Sequence, residues 1–118
     1  RAIVASPLAA AAEATPSLTV TVYRRATATF YGPGFYGRRT ACGGRLTPTT
    51  IGVANRTLPC GAPVSILYHG RTLTVPVIDR GPYANGADWD LTLATAEALG
   101  MPGIARIGAV ALPSTATG

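Results

Sequence analysis

Apolar and polar residues alternate with a period of two along most of this chain, the pattern of strands that bury one face. Ala26–Tyr31, Ile51–Asn55, Pro63–Tyr68, Leu73–Ile78 and Ile104–Leu112 each show it, rich in Val, Ile, Thr and Tyr. His69-Gly70 separates the third run from the fourth and reads as a tight turn. Leu18–Tyr23 alternates as well, and predicts either the last strand of a preceding module or an extra strand on this one. One stretch changes period. Thr92 to Leu99 places Leu93, Ala96 and Leu99 on one side of a helix, with Asp90 and Thr92 as possible caps and Gly100 and Pro102 to end it. Six short strands and one short helix predict a mainly β fold, a small barrel.

Length and composition narrow this to a single domain. The chain has 118 residues, 47% of them hydrophobic and 13% charged, which excludes disorder. No apolar run approaches the ~20 residues of a bilayer span. The expected division is a barrel over 26–113, preceded by a linker or extra strand over 1–25 and followed by a tail over 114–118. Residues 1–17 are alanine-rich, and Ser6-Pro7 interrupts their apolar character, so no cleavage site is read there.

Charge and cysteine usage bound the partners. All ten basic residues are arginine, and the formal net charge is +5. The arginines are dispersed, with no zinc-ligand set, basic helix or ribonucleoprotein motif, so no nucleic acid is expected. Wall polymers carrying carboxylate or phosphate fit the charge; solubility alone would also account for it. Cys42 and Cys60, each beside glycine, are expected to form a disulfide, which would contribute about 3 kcal/mol and indicate an oxidising compartment. The other reading is a pair of buried thiols. Two cysteines and the single His69 do not make a metal site, and neither metal nor cofactor is expected.

The candidate chemistry lies between Val77 and Leu91, where Asp79, Asp88 and Asp90, three of the five acidic residues, stand near Tyr83 and Trp89. Carboxylates beside aromatic faces are what a carbohydrate cleft needs, to bond hydroxyls or protonate a glycosidic oxygen and to stack on sugar rings. An aspartate before a Gly-Pro turn or at a helix N-cap also has a purely structural use, and both uses stay open. Asp79, next to Arg80, is expected to be held ionised by its neighbour, and Asp90 to be held ionised by the helix that follows. Gly32-Pro-Gly-Phe-Tyr-Gly37 predicts a tight loop exposing Phe35 and Tyr36. Six of eight aromatic residues (Phe30, Tyr31, Phe35, Tyr36, Tyr83 and Trp89) fall in Phe30–Gly37 and Val77–Leu91; Phe30, alternating with Tyr31, is expected inside the barrel, and packing there is also the other reading of Trp89.

Four segments together resemble the rare lipoprotein A-like double-psi β-barrels, which share their barrel with the first domain of expansins. They are Thr29-Phe-Tyr-Gly-Pro-Gly-Phe-Tyr-Gly-Arg-Arg-Thr-Ala41, Arg56-Thr-Leu-Pro-Cys-Gly61, Val77-Ile-Asp-Arg-Gly-Pro-Tyr83, and Asp90-Leu91 with Ala96-Glu-Ala-Leu-Gly100. The resemblance covers about residues 26–112. It implies a six-stranded double-psi barrel with a groove across one face, exported to the cell envelope, a monomeric module of a larger envelope protein acting on peptidoglycan or another wall polysaccharide.

In its lytic transglycosylases the muramic C6 hydroxyl closes a 1,6-anhydro ring, and one acid gives and takes the proton. The glutamate, aspartate and histidine of active members fall here on Gly44, Thr47 and Asn55. The expansin side implies instead two aspartates, here Asp79 and Asp90, with Asp90 the principal one. Asp90 and Asp79 are therefore the catalytic candidates, and Thr29, Tyr31, Tyr36, Asn55, Arg80, Tyr83 and Trp89 the substrate-binding candidates. The function expected is glycan binding or remodelling with the family's acid positions replaced. An active transglycosylase is one alternative, and a secreted protease inhibitor using the Gly32–Arg39 loop is the other.

Overall fold

A computed structural model describes residues 20–83 and 86–113. Six strands, β1 (Arg24–Tyr31), β2 (Val53–Ala54), β3 (Pro63–Tyr68), β4 (Arg71–Asp79), β5 (Trp89–Thr92) and β6 (Ala105–Ala111), close into a barrel in the order β1-β5-β2-β4-β3-β6. Two pairings, β1–β5 and β2–β4, are parallel; the rest are antiparallel. The fold is the expected mainly β, six-stranded double-psi barrel with one short helix.

The identity of one strand differs from expectation. Val20–Tyr23 is not a strand, while Leu18 and Thr19, like the segments 1–17 and 114–118, lie outside the described residues. β5 takes the sixth place instead. Closure explains the exchange: β1 already has β5 on one side and β6 on the other, so no free edge remains to pair an added strand. Tyr23 nevertheless packs on the barrel, its hydroxyl 2.8 Å from Ser65 Oγ. Ile51–Asn55 shrinks to two strand residues, and Leu73–Ile78 extends to Arg71–Asp79. That extension follows from the β3–β4 hairpin, whose turn residues His69 (φ 47°) and Gly70 (φ 80°) carry the left-handed pair that matches strand twist.

Helix α1 (Leu93–Leu99) is capped by Thr92, whose hydroxyl accepts from Thr95 N, and not by Asp90, which lies in β5. It ends at Gly100 in the left-handed conformation, whose N–H reaches the Ala96 and Glu97 carbonyls. The barrel interior is filled by Ala28, Val53, Val64, Ile66, Val77 and Leu91, all buried, with Phe30 packed against them as expected.

The short strand β2 controls the register of the acid-bearing segments. Val53 pairs with Val77, but the next residue, Ala54, pairs with Asp79, so β4 carries one extra residue, Ile78, at this point. Side chains two apart on a regular strand share a face, and Asp79 would otherwise follow Val77 into the core; the bulge moves it to the outer face. Ile78 is accommodated over Gly52, where an added Cβ would lie 2.8 Å from both Cγ1 and Cδ1 and 2.9 Å from Cγ2 of Ile78. The Cys42–Cys60 disulfide, 18 residues apart in sequence, ties the loop before β2 to the loop before β3.

Gly52→Ala is therefore expected to destabilise the barrel by about 1–3 kcal/mol, the usual cost of overpacking. Both branches of Ile78 meet the new methyl, so no single rotamer change clears it. Urea unfolding measures the loss, and the double variant Gly52→Ala/Ile78→Ala should recover part of it.

Candidate functional site

The register places four side chains in one row across the outside of the barrel. Thr29 on β1 pairs with Asp90 on β5, Asp90 with Ala54 on β2, and Ala54 with Asp79 on β4. The two aspartates thus flank Ala54, their backbones two strand spacings, about 10 Å, apart. Ala54 keeps the span between them free of bulk.

Their environments differ. Asp79 is enclosed by donors: Oδ1 accepts from the main-chain N–H groups of Ala41 and Arg80, each at 2.9 Å, and Oδ2 accepts from the Tyr31 hydroxyl at 3.3 Å. The Arg80 guanidinium does not bond the Asp79 carboxylate. It donates to the carbonyls of Asn55 (3.2 Å) and Asp79 (3.5 Å), with its other terminal nitrogen 3.7 Å from Cys60 Sγ. Arg80 thus ties the ends of β2 and β4 together, and what it gives the carboxylate is its backbone N–H.

Asp90 accepts one bond, from Thr29 Oγ1 at 3.0 Å. Burial pushes its carboxyl above the ordinary range, the Thr29 bond opposes this, and the charge of Asp79 adds to the rise. The expected stabilisation of its ionised form by the helix fails physically: Thr92 caps α1, and Asp90 sits two residues ahead of that cap within a strand. The Tyr31 phenol is pushed far above its ordinary value, first by burial, then by the charge of Asp79 and its bond to that carboxylate, and last by Asp90. It remains a donor at any physiological pH.

A cavity of about 200 Å³ opens beside this row, lined by Tyr31, Asp79, Phe35, Arg38, Arg39 and the buried Thr40 and Leu46. Phe35 meets the Tyr31 ring edge-on, centroids 6.1 Å apart at 84°. Of the two loop aromatics, Phe35 lines the cavity, whereas Tyr36, a chosen binding candidate, folds back so that its hydroxyl occupies the space beside Gly32. Arg38, Arg39, Thr40 and Leu46 join the site without any motif of their own. Their one signal in the sequence is the turn-rich segment itself, whose return from Arg38 to Leu46 brings them back beside Asp79.

The other candidates lie elsewhere. Trp89 pairs with Ala28 and packs against the barrel core, one residue out of phase with Asp90. Tyr83 is 77% exposed, on a loop held by Arg56, which donates to the Pro82 and Ala87 carbonyls. Asn55 spends its side-chain oxygen on the N–H groups of Thr57 and Leu58. Asp88 accepts from Thr27 N and closes the entry to β5. Gly44 occupies a turn at φ 75°, and Thr47 bonds Thr50 locally. Among the described residues no group of three His, Cys, Asp or Glu is placed to hold a metal ion.

Comparison with known proteins gives a consistent picture. A family model described as lytic transglycolase matches residues 23–112. A Synechocystis protein named probable endolytic peptidoglycan transglycosylase RlpA is 42% identical over 87 residues, covering 72% of this chain and 27% of that protein. The chain thus spans only about a quarter of that relative. Among solved structures, a Streptomyces papain inhibitor superposes with a TM-score of 0.59 at 26% identity, over 79% of this chain and 96% of the inhibitor. A Clavibacter michiganensis expansin variant, solved in complex with cellohexaose, superposes with a TM-score of 0.63 at 20% identity, over 82% of this chain and 54% of the expansin, and so shares the fold.

Asp90→Asn tests the electrostatics of the row. Because the folded-state pKa of Asp90 is raised, ionising it costs stability; the cost is absent below about pH 4, the ordinary aspartate value, and is complete once pH exceeds the folded value. Asparagine keeps an acceptor for Thr29 and removes that cost. The variant should melt slightly above the parent at pH 7, and the difference should close on acidification below pH 4 in parallel melting curves.

Proposed function

Since the chain belongs to the lytic transglycolase family, we propose that its barrel binds cell-wall glycan along the Thr29–Asp90–Ala54–Asp79 row, and that Asp90 carries the proton of any remodelling step. One observation supports this above the others: two half-buried carboxylates share one outward-facing row, yet one accepts three hydrogen bonds and the other is desolvated. A carboxylate that already accepts three bonds fixes a hydroxyl by its remaining lone pairs and is poorly suited to proton transfer. A carboxyl with a raised pKa holds its proton nearer neutrality, as a general acid must.

In such a step Asp90 donates its proton to the glycosidic oxygen as the C1–O bond breaks. The sugar's C6 hydroxyl attacks C1, and its proton returns to Asp90, so no water is consumed. The Tyr31–Phe35 pair offers an aromatic surface beside the row. A glutamate at position 44 would have to adopt a left-handed backbone at about 1–2 kcal/mol, so the acid of other members is not simply restored there.

The disulfide supports a life in an oxidising compartment, the outer face of the envelope. The barrel acts there as a monomeric module of a longer envelope protein, consistent with its matching a quarter of a longer relative.

A second reading rests on the papain inhibitor, which is matched over 96% of its own length. The Gly32–Arg39 loop is braced by main-chain bonds from Phe35 N to Gly32 O, Arg38 N to Phe35 O and Gly37 N to Leu46 O, and presents an exposed Phe35, as a rigid inhibitory loop would. Titration of papain with the protein separates the two readings: on the glycan reading papain keeps its full activity at a tenfold molar excess of the protein, whereas stoichiometric loss of activity establishes inhibition.

On purified sacculi, the protein is expected to sediment with the wall, and any soluble fragments it releases should end in 1,6-anhydro sugars by mass spectrometry. Asp90→Asn should lower their release at least ~10²-fold, the usual contribution of a general acid, without lowering Tm. Undiminished release by Asp90→Asn would remove Asp90 from the chemistry, and failure to sediment would remove the glycan reading altogether.

A further inference from the structure

The cavity beside the row contains opposite charges that do not neutralise each other directly. Asp79 lines it together with Arg38 and Arg39, and the buried Leu46 and Thr40 complete the lining. The oxygens of Asp79 are already met by Ala41 N, Arg80 N and Tyr31 Oη, none of them a guanidinium. Arg38 lies with its guanidinium carbon 5.7 Å over the Phe35 ring. A cation–π contact uses none of the guanidinium's N–H donors, which can hold a carboxylate through two parallel bonds.

The loop bearing both arginines is fixed at several points, by Leu46 N to Arg38 O (2.9 Å), Gly37 N to Leu46 O (2.7 Å) and the Ala41 N–H on Asp79. Two cations against one anion leave the cavity with an unmatched positive charge. At about 200 Å³ it falls below the ~300–1,000 Å³ of whole-ligand pockets, so it suits one sugar unit or one substituent and not a length of chain.

We propose that Arg38 and Arg39 form a subsite for a carboxylate substituent on the bound glycan, making this barrel selective for acidic over neutral polysaccharide. The proposal rests on the glycan reading and specifies its substrate class. It also fixes orientation: the acidic substituent faces the arginines, and a hydroxyl of the same unit faces Asp79, because the reverse placement sets carboxylate against carboxylate.

Binding of three tetrasaccharides by calorimetry tests it: peptide-free N-acetylglucosaminyl-N-acetylmuramic tetrasaccharide with free lactyl carboxylates, the same compound methyl-esterified, and the neutral N-acetylglucosamine tetramer. The free acid should bind about tenfold more tightly than its ester, the ratio expected of one charge-assisted pair at a partly exposed site. The ester should bind like the neutral tetramer. Arg38→Gln and Arg39→Gln, each with an unchanged melting curve, should bring the acid-to-ester ratio towards one, as should raising salt from 0.15 M to 1 M.

Equal affinity of acid and ester for the parent protein would overturn the subsite and leave the glycan reading standing. Binding of none of the three would overturn both. If inorganic phosphate displaces the free acid at lower concentration than lactate does, the subsite is one for phosphate esters and the carboxylate assignment is wrong.

Discussion

Two residues of β2 hold this molecule together in the sense that matters for its site. Val53 and Ala54 lie between β4 and β5 and are the strand link between them, so the barrel closes or stays open at that point. Val53 faces inward and is fully buried. Ala54 faces the opposite way, between two carboxylates. The one-residue slip opposite them lets a core strand end in an outward-facing acid: without Ile78 as the extra residue, Asp79 would share the face of Val77 and meet a dry interior that an unpaired charge cannot occupy. Gly52 is required next door because only a missing side chain leaves room for the bulged isoleucine.

A fixed row of charges follows from that geometry, and its asymmetry comes from what surrounds each acid. Asp79 ends a strand where three chain segments converge, and each contributes a donor: Tyr31 from β1, Ala41 from the disulfide-tied loop, and its own successor Arg80. Asp90 lies inside a strand, where the main chain is committed to ladder bonds, and finds one threonine hydroxyl. The same strand pairing therefore delivers one carboxylate suited to accept and one inclined to keep a proton. The Cys42–Cys60 bond belongs to this arrangement, since residue 41 carries one of the three donors.

The sequence showed these elements unevenly. Ala26–Tyr31 and Pro63–Tyr68 were legible because they are half-buried strands of ordinary length, and the His69-Gly70 turn because its backbone demands were written in its residues. Trp89–Thr92 was not, since four residues give too little alternation and an aspartate and a threonine before a helix resemble caps. Only long-range pairing with β1 and β2 makes them a strand. Which way Trp89 faces depends on that pairing: once β5 is a strand, Trp89 and Asp90 face opposite ways, and Trp89 packs on the core. Asp79 and Asp90 stand out by residue type, but their partners do not: adjacency in sequence points to the Arg80 guanidinium and to α1, whereas the fold supplies the main-chain N–H groups of Ala41 and Arg80 and the hydroxyls of Tyr31 and Thr29. The choice of Phe35 over Tyr36 depends on how the loop returns towards Leu46, which no local pattern records.

The connectivity also sets an order on how the molecule can come into being. Strand β1 is ladder-bonded to Trp89–Thr92 and to Ala105–Ala109, so the first strand of the barrel waits for its last. The β3–β4 hairpin and the Cys42–Cys60 crosslink are local and can form early. The barrel cannot close on a partial chain, and such dominance of non-local pairing is the topology that folds slowly. A polypeptide of this design stays open for as long as the last strand of the barrel is withheld, so the fixed spacing of its two carboxylates is a property of the closed barrel alone.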